Sequence, residues 1–326
     1  MLVIEKGLSA AMNARMIGFG NEAIVLAHGF GGDQSLWDKI TPHLARSYRV
    51  LVFDWNFSGA VKDPSLYDST KYSSYDAFAD DLIALLDEFK LLASVFVGHS
   101  MSGMIGCIAS IKRPELFKRL IFIAASPRHV DRRVWVGWYT AFVLYSCAHL
   151  SINICYVSLV QVYSWLDFPN SMREAGRYLN ANNYEGGFER SEIEQIFANI
   201  ESDFDKWASN FAPLAVDVND PLSVEKVEKC IRRMRPEVAL PLAKTVFCCD
   251  HRDILDKVTT PCTIVQPTND IVAPISVAEY MQKKIKGKTT VEIIDMDGHF
   301  PQLTAHLQLL SVLDSVLVLS PDHQEK

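Results

Sequence analysis

The chain has 326 residues, of which 49% are hydrophobic and 22% are charged, and this composition excludes a disordered or collagen-like protein. Its net charge of −7, without a block of basic residues, argues against a nucleic-acid partner. The length suits two average domains, but α/β folds of this size often form one.

Seven cysteines are scattered along the chain, and none forms a C-x-x-C pair or a Cys/His cluster with zinc spacing. We therefore expect reduced thiols and no metal. The segment 1–7 contains an acidic residue and no apolar run long enough for a signal peptide. The expected location is the cytosol, with access to the nucleus.

Apolar runs and amphipathic stretches alternate along much of the chain. This pattern favours an α/β fold with a mostly parallel sheet and helices on both faces. The predicted strands are 23–27, 50–53, 94–97, 120–123, 262–266 and 291–294, and the predicted core helices include 75–90 and 101–111.

The alternation stops between about 127 and 249, where the pattern is mostly helical. Amphipathic helices are predicted at 191–200 and 224–234. We therefore predict one core domain, formed by 1–126 and 250–326, with a helical cap of 127–249 inserted between two of its strands.

One segment does not fit this pattern. Residues 134–166 contain no Asp, Glu, Lys or Arg. The segment is long enough for a membrane span, but its Ser, Asn, Gln and His side chains make a poor lipid-facing surface. Three alternatives remain open: a membrane anchor, an added pair of cap helices, and a translated intron or faulty gene model.

A serine lies between a predicted strand and a predicted helix. The sequence G-H-S-M-S-G at 98–103 follows the strand directly, which is the setting of a nucleophile elbow. The usual pattern is G-x-S-x-G, and Ser102 stands here in place of the last glycine. Ser100 is therefore the candidate nucleophile. The alternative is a surface serine that caps the helix.

A serine nucleophile needs a histidine base and an acid that orients it. In sheets with such an elbow, the acid and then the histidine follow the serine in the chain, each in a loop after a strand. Asp270 and His299 stand in these places. Asp295 and Asp297 are rival acids, but they lie too near His299 in sequence to come from the preceding strand's loop.

The loop after the first predicted strand is rich in glycine. Its sequence, H-G-F-G-G at 28–32, is similar to loops that supply one N–H group to an oxyanion hole. Phe30 would provide that group, and Met101, the residue after the nucleophile, would provide the second. We expect Asp33 to cap the following helix rather than to act as a catalytic acid.

The cap is expected to determine the substrate. Its aromatic residues would line an apolar pocket over Ser100, together with Phe30. For each of them a plain core position is an equally good interpretation. The cap candidates are Tyr178, Phe188, Phe211 and Phe247.

Five longer motifs are spread along the chain. They are H-G-F-G-G-D-Q-S-L-W at 28–37, V-G-H-S-M-S-G-M-I-G at 97–106, A-S-P-R at 125–128, F-A-P-L-A-V at 211–216 and D-G-H-F-P-Q at 297–302. Together they resemble the plant strigolactone and karrikin receptor-hydrolases, the DWARF 14-like family of α/β-hydrolases. The sequence F-D-W-N-F-S-G-A at 53–60, with Met101 and Gly103 at the elbow, is most similar to the DWARF 14-like 2 branch.

The resemblance implies an α/β-hydrolase fold and places the family's triad on Ser100, Asp270 and His299. It also places the oxyanion hole on Phe30 and Met101 and the pocket on the aromatic residues named above. The family's chemistry is attack on a butenolide-bearing enol ether or ester, with slow turnover coupled to cap movement. An F-box protein and a repressor target then recognise the moved cap. No metal or organic cofactor is implied.

In this family A-S-P-R runs directly into Tyr and the first cap helix, whereas here 129–177 separate Arg128 from Tyr178. Without these residues the chain has the family's usual size and the junction continues without a break. We therefore predict an anomalous insertion at the cap hinge, derived from a retained intron or a gene-model error.

Two functions from different classes follow. One is a serine hydrolase of small apolar butenolides that works through an acyl-serine intermediate; the other is a hormone receptor with little or no turnover that signals by cap rearrangement. A monomer is expected in both cases. A membrane-tethered esterase that uses 134–166 is a weaker third alternative. Epoxide hydrolases and dehalogenases are disfavoured because their elbow carries Asp where this chain has Ser100.

Overall fold

The computed structural model describes residues 7–128, 130, 131, 184 and 188–318. One compact unit comprises Met1–Val130 and Gly186–Lys326, and the candidate site lies within it. Tyr178, the uncharged segment 134–166 and nearly all of the predicted insertion lie outside the described residues. Among the helices that are described, none is long and apolar enough to cross a membrane.

The core is a seven-stranded sheet. The described strands are β1 (Arg15–Ile17), β2 (Ala23–Ala27), β3 (Arg49–Val52), β4 (Ser94–His99), β5 (Phe117–Ile123), β6 (Val130–Asp131), β7 (Phe188–Glu189), β8 (Cys262–Asn269) and β9 (Thr289–Asp297). The sheet has the order β1-β3-β2-β4-β5-β8-β9. Only β1 is antiparallel to its neighbour, so the prediction of a mostly parallel sheet is confirmed.

Helices cover both faces of this sheet. The described helices are α1 (Leu8–Ala11), α2 (Thr41–Leu44), α3 (Tyr75–Glu88), α4 (Met101–Lys112), α5 (Arg190–Ser202), α6 (Phe204–Ala215), α7 (Pro221–Arg233), α8 (Pro236–Phe247), α9 (Ile275–Lys284), α10 (Pro301–Thr304) and α11 (His306–Val318). On one face Ile24 joins a buried cluster with Leu44 of α2 and Leu309 of α11. On the other face α4 comes so close that a Cβ on Gly106 would lie 2.4 Å from the ring of Phe96. With both faces covered, β2 and β4 are buried along their whole length, as parallel strands usually are.

The strands and helices predicted for the core are confirmed, with ends that differ by a few residues. β2 has the predicted bounds, whereas β9 extends beyond 291–294 at both ends. The prediction misses β1, because three residues are too few for a periodic pattern. It also misses α9, although its buried residues Val277, Ala278 and Met281 have helical spacing.

Four helices, α5 to α8, lie in the chain between β5 and β8, where the sequence predicts the cap. The chain leaves the core and returns to it at one place. There the Arg128 guanidinium lies 3.2 Å from the Asp250 carboxylate, and the backbone N–H of His251 donates to the Pro127 carbonyl at 2.8 Å. The boundaries at 127 and 249 and the insertion at about 129–177 stay predictions.

Candidate active site

Ser100 occupies a strained turn between β4 and α4. Its φ of 53° and ψ of −123° are unusual for a residue with a side chain, and such strain is often found at functional sites. Gly98 permits the turn, because a Cβ there would lie 2.7 Å from the backbone of Ser102. Ser100 is buried, and its side chain makes no capping hydrogen bond to α4. The alternative of a surface capping serine is therefore wrong.

Asp270 and His299 form a buried pair. Asp270 follows the last residue of β8, and His299 comes two residues after β9. The His299 Nδ1 lies 2.7 Å from the Asp270 Oδ2, while the other Asp270 oxygen accepts from the Val272 N–H at 2.8 Å. This arrangement holds the imidazole in one orientation, as an orienting acid must.

The two rival acids have other partners. The Asp297 carboxylate accepts from the Asn269 side-chain amide at 2.7 Å, and the Asp295 carboxylate accepts from the Thr268 hydroxyl at 3.4 Å. Asp270 is thus the carboxylate that contacts His299, in agreement with the order predicted from the sequence.

The His299 loop lies beside the end of β4, which Ser100 directly follows. The His99 Nε2–H donates to the His299 carbonyl at 2.9 Å, and the centroids of the two imidazole rings are 4.9 Å apart. The structure therefore brings the three candidate triad residues to one edge of the sheet, at the carboxyl ends of β4, β8 and β9. Their catalytic roles stay a prediction.

The glycine-rich loop lies directly against the elbow. A Cβ on Gly29 would lie 2.9 Å from the Ser100 Cβ, so only glycine lets the loop pass this close. The N–H groups of Phe30 and Met101 donate to no acceptor in the part of the chain that the structure describes. Two unpaired N–H groups, one on the residue after the nucleophile and one in the loop that passes against it, are what an oxyanion hole requires.

The structure confirms the prediction that Asp33 caps the helix that follows it. Its side chain accepts from the Ser35 N–H at 2.9 Å and so caps the short 3-10 helix Gln34–Trp37. It also accepts from the Arg233 guanidinium at 3.0 Å. These contacts account for the carboxylate without a catalytic role.

Aromatic rings from the chain between β5 and β8 meet the glycine-rich loop at 28–32. The Phe30 ring centroid lies 6.1 Å from that of Phe247 and 6.2 Å from that of Trp207. Phe188 packs on Phe247 at 5.6 Å, and Phe211 stacks on Trp207 at 5.0 Å. Four of the five predicted pocket residues thus belong to one aromatic group, and the fifth, Tyr178, lies outside the described residues.

Trp207 is the member of this aromatic group that the sequence analysis misses. It precedes Phe211 by four residues on α6, a spacing that places both on one helix face. The sequence therefore contained a pattern that could have identified it. A cavity of about 200 Å³ borders this face, lined by Phe188, Trp207, Phe211 and Ile271 among others. Of these lining residues, Ile271 directly follows Asp270 in the chain.

The described residues contain no group of His, Cys, Asp or Glu side chains arranged to hold a metal ion.

Two histidines beside the candidate triad, His28 and His99, are fully buried. Burial lowers the pKa of His28, and burial together with the nearby His299 lowers the pKa of His99 well below its ordinary value. Both imidazoles are therefore neutral near pH 7.

We expect the free energy of unfolding to fall as the pH drops below about 6.5. In that range the unfolded chain takes up protons on His28 and His99, whereas the folded protein does not, because burial lowers their pKa. Each histidine can cost up to about 1.4 kcal/mol per pH unit. Urea unfolding at pH 7.5 and 5.5 measures the effect. His99→Gln should reduce the pH dependence and the control His306→Gln should not; equal dependence in both variants would contradict the explanation.

Comparisons with known proteins show the family of this chain. The model of the alpha/beta hydrolase family matches residues 24–311. A strigolactone esterase of Pisum sativum is 36% identical over 307 residues, which cover 94% of this chain and 97% of the relative. A karrikin insensitive 2 receptor of Petunia hybrida is 33% identical, with 93% of this chain and 94% of the relative covered. The chain belongs to the alpha/beta hydrolase family, in the group of strigolactone esterases and karrikin receptors.

Solved structures of alpha/beta hydrolases have the same architecture. A hydrolase from Oleispira antarctica is 25% identical, with a TM-score of 0.76 over 96% of both chains. An enol-lactonase from Burkholderia xenovorans is 16% identical, with a TM-score of 0.65 over 94% of this chain and 98% of that one, and shows the fold alone. The predicted family is thereby confirmed, and assignment to its DWARF 14-like 2 branch stays a prediction.

Proposed function

We propose that this hydrolase cleaves small butenolide signalling molecules of the strigolactone and karrikin type through an acyl-serine intermediate. The observation that carries the proposal is the buried His299–Asp270 pair, 2.7 Å apart, beside a strained serine elbow. The Pisum sativum relative named a strigolactone esterase supports the substrate class.

Each residue has a defined role in the proposed reaction. The His299 Nδ1–H donates to Asp270, so Nε2 is left to take the proton of the Ser100 hydroxyl as its oxygen attacks the substrate carbonyl. The N–H groups of Phe30 and Met101 stabilise the oxyanion that forms. Protonated His299 then gives its proton to the leaving group. A water, deprotonated by the same imidazole, hydrolyses the acyl-serine, and no metal or organic cofactor is needed.

The aromatic group of Phe30, Phe188, Trp207, Phe211 and Phe247 favours an apolar ligand. Rings bury much surface with few rotatable bonds, and so they suit a flat, apolar molecule such as a butenolide. Tyr178 remains a proposed member of this pocket.

A second candidate function is a receptor in which turnover is incidental. Phe30 of the oxyanion loop touches Trp207 and Phe247 of the cap helices, so a ligand that displaces Phe30 also acts on the cap. A relative named a karrikin insensitive 2 receptor supports this candidate. An F-box protein and a repressor target would then recognise the moved cap in the cytoplasm and nucleus, with the chain as a monomer.

For residues 129–177 we propose an insertion that the working protein lacks, from a retained intron or a gene-model error. The family similarity extends over more than 90% of the chain, and the resemblance places Tyr178 directly after Arg128. The membrane-tethered esterase is the competing proposal for this segment.

The test is hydrolysis of a fluorogenic butenolide ester by the full chain and by a protein that joins Arg128 to Tyr178. We expect serine-dependent activity in the shortened protein and none in the full chain, each compared with its Ser100→Ala control. Equal activity in both would overturn the proposal on the insertion. Folded but inactive protein in both cases would overturn the hydrolase and favour the receptor.

A further inference from the structure

We propose that Trp55 and Ser102 are positioning residues for the oxyanion hole, because together they hold the His28 carbonyl at the base of the loop that carries the Phe30 N–H. The inference rests on the proposed function, since an oxyanion hole matters only where Ser100 is acylated. Neither Trp55 nor Ser102 touches the reacting atoms, so both act through His28.

Two donors converge on one carbonyl. The Ser102 hydroxyl donates to the His28 carbonyl at 2.5 Å, and the Trp55 indole N–H donates to the same oxygen at 3.0 Å. The indole nitrogen also lies 3.0 Å from the Ser102 oxygen. All three residues are fully or almost fully buried, where hydrogen bonds are stronger than in water. These bonds thus link the glycine-rich loop to α4, the helix that begins directly after the nucleophile.

The His28 ring carries this constraint to the next peptide. Its Nε2 accepts from the Trp55 backbone N–H at 3.1 Å, so Nε2 carries no proton. The proton is on Nδ1, which donates to the Gly29 carbonyl at 2.9 Å. The Gly29–Phe30 peptide is trans, and its carbonyl and N–H therefore point in opposite directions. Fixing the Gly29 carbonyl on His28 also fixes the direction of the Phe30 N–H.

The loop needs such anchors because three of its five residues are glycines, at 29, 31 and 32. Glycine gives the unanchored backbone many accessible conformations, and an oxyanion hole works only when its donors are held in place before the charge develops. The usual G-x-S-x-G elbow has a glycine where this chain has Ser102. The serine is small enough for the turn and adds the hydroxyl that reaches the loop.

The test is made in the protein that joins Arg128 to Tyr178, where hydrolysis is expected. It compares Ser102→Ala and Trp55→Phe, which each remove one donor, with two matched controls. Ser110→Ala removes a buried hydroxyl on the same helix, where it donates to the Cys107 carbonyl at 2.8 Å. Trp37→Phe removes a buried indole N–H that has no partner among the described residues. Losing a whole oxyanion donor costs about 10²–10³-fold in kcat. We therefore expect about a tenfold fall in kcat for each variant, with KM and the controls changed less than about twofold.

A second readout separates positioning from a merely structural role. A boronic acid forms a tetrahedral anionic adduct with the nucleophilic serine and so depends on the oxyanion hole, whereas an unreactive butenolide binds without it. We expect the boronic acid to bind about tenfold more weakly to both variants. The expected loss is smaller than the 10²–10³-fold effect of losing a whole oxyanion donor, because the Phe30 N–H is misplaced rather than removed. The butenolide affinity and the melting temperature should stay close to those of the controls.

The outcomes distinguish the positioning role of Trp55 and Ser102 from the proposed function of Ser100. Normal hydrolysis and boronic-acid binding in Ser102→Ala and Trp55→Phe would overturn the positioning role alone. Parallel losses of butenolide affinity and thermal stability would also overturn it, since they indicate a structural role. Absence of Ser100-dependent hydrolysis in the unmodified protein, in both its full and shortened forms, would overturn the proposed function itself.

Discussion

In the protein that joins Arg128 to Tyr178, replacing Ser100 by alanine is expected to reduce hydrolysis of a fluorogenic butenolide ester by at least about 10⁴-fold, as the loss of a serine nucleophile does in other triads. Without the hydroxyl no acyl bond forms, and a water must attack the ligand directly. The fold should persist, because the Ser100 side chain makes no capping bond to α4. The affinity for an unreactive butenolide should therefore stay within about threefold of the affinity before the substitution. The contacts that hold an unreacted ligand do not depend on the nucleophile.

The matched control is Ser110→Ala, a buried serine on the same helix, and it should keep full activity. Ser102 is the neighbour most able to substitute as nucleophile, but its hydroxyl is buried and donates to the His28 carbonyl. Full hydrolysis by Ser100→Ala would show that Ser100 is not the nucleophile. The same variant separates the two proposed functions, because a receptor keeps ligand binding and partner recruitment where a pure hydrolase loses all function.

Replacing Asp270 by asparagine is expected to lower kcat by about 10³–10⁴-fold. The buried carboxylate accepts the His299 Nδ1–H at 2.7 Å and so keeps the imidazole in the tautomer that can deprotonate Ser100. An asparagine amide can donate to Nδ1 instead and so stabilise the other tautomer, which carries its proton on Nε2. The side chain has nearly the same size, so the loss comes from the proton's position rather than from packing.

Asp297→Asn is the control for this substitution. Asp297 is one of the two rival acids that the sequence offers. Its carboxylate accepts a hydrogen bond from Asn269 rather than from His299. We expect hydrolysis by Asp297→Asn within about twofold of the same shortened protein without the substitution, since Asp297→Asn leaves the contact between Asp270 and His299 intact. A large loss in Asp297→Asn together with full activity in Asp270→Asn would mean that the acid is assigned to the wrong strand.

Much of the core is predictable because its signals are local. The strand Ala23–Ala27 is a continuous apolar run, and α3 carries its buried residues at helical spacing. The candidate triad is predictable for a related reason. Parallel strands bring their carboxyl ends to one edge of the sheet, so residues that directly follow strands, such as Ser100 and Asp270, are expected to meet there.

The contacts around the triad are not predictable in this way. Trp55 and Ser102 are 47 residues apart in the chain, and no periodic pattern connects them. Trp207 reaches Phe30 across a much longer separation in the chain. Such pairs depend on how the loops and cap helices pack on the sheet, which is decided by shape and burial rather than by spacing along the chain.

The sequence by itself determined the fold class, the family and the order of the candidate triad, because apolar periodicity, strand ends and short motifs are properties of neighbouring residues. Only the tertiary structure decided which carboxylate contacts His299, that Ser100 does not cap its helix, and that Trp55 and Ser102 bond to the His28 carbonyl of the glycine-rich loop. These facts depend on the directions of individual side chains and hydrogen bonds between distant segments, which are fixed only when the core is packed.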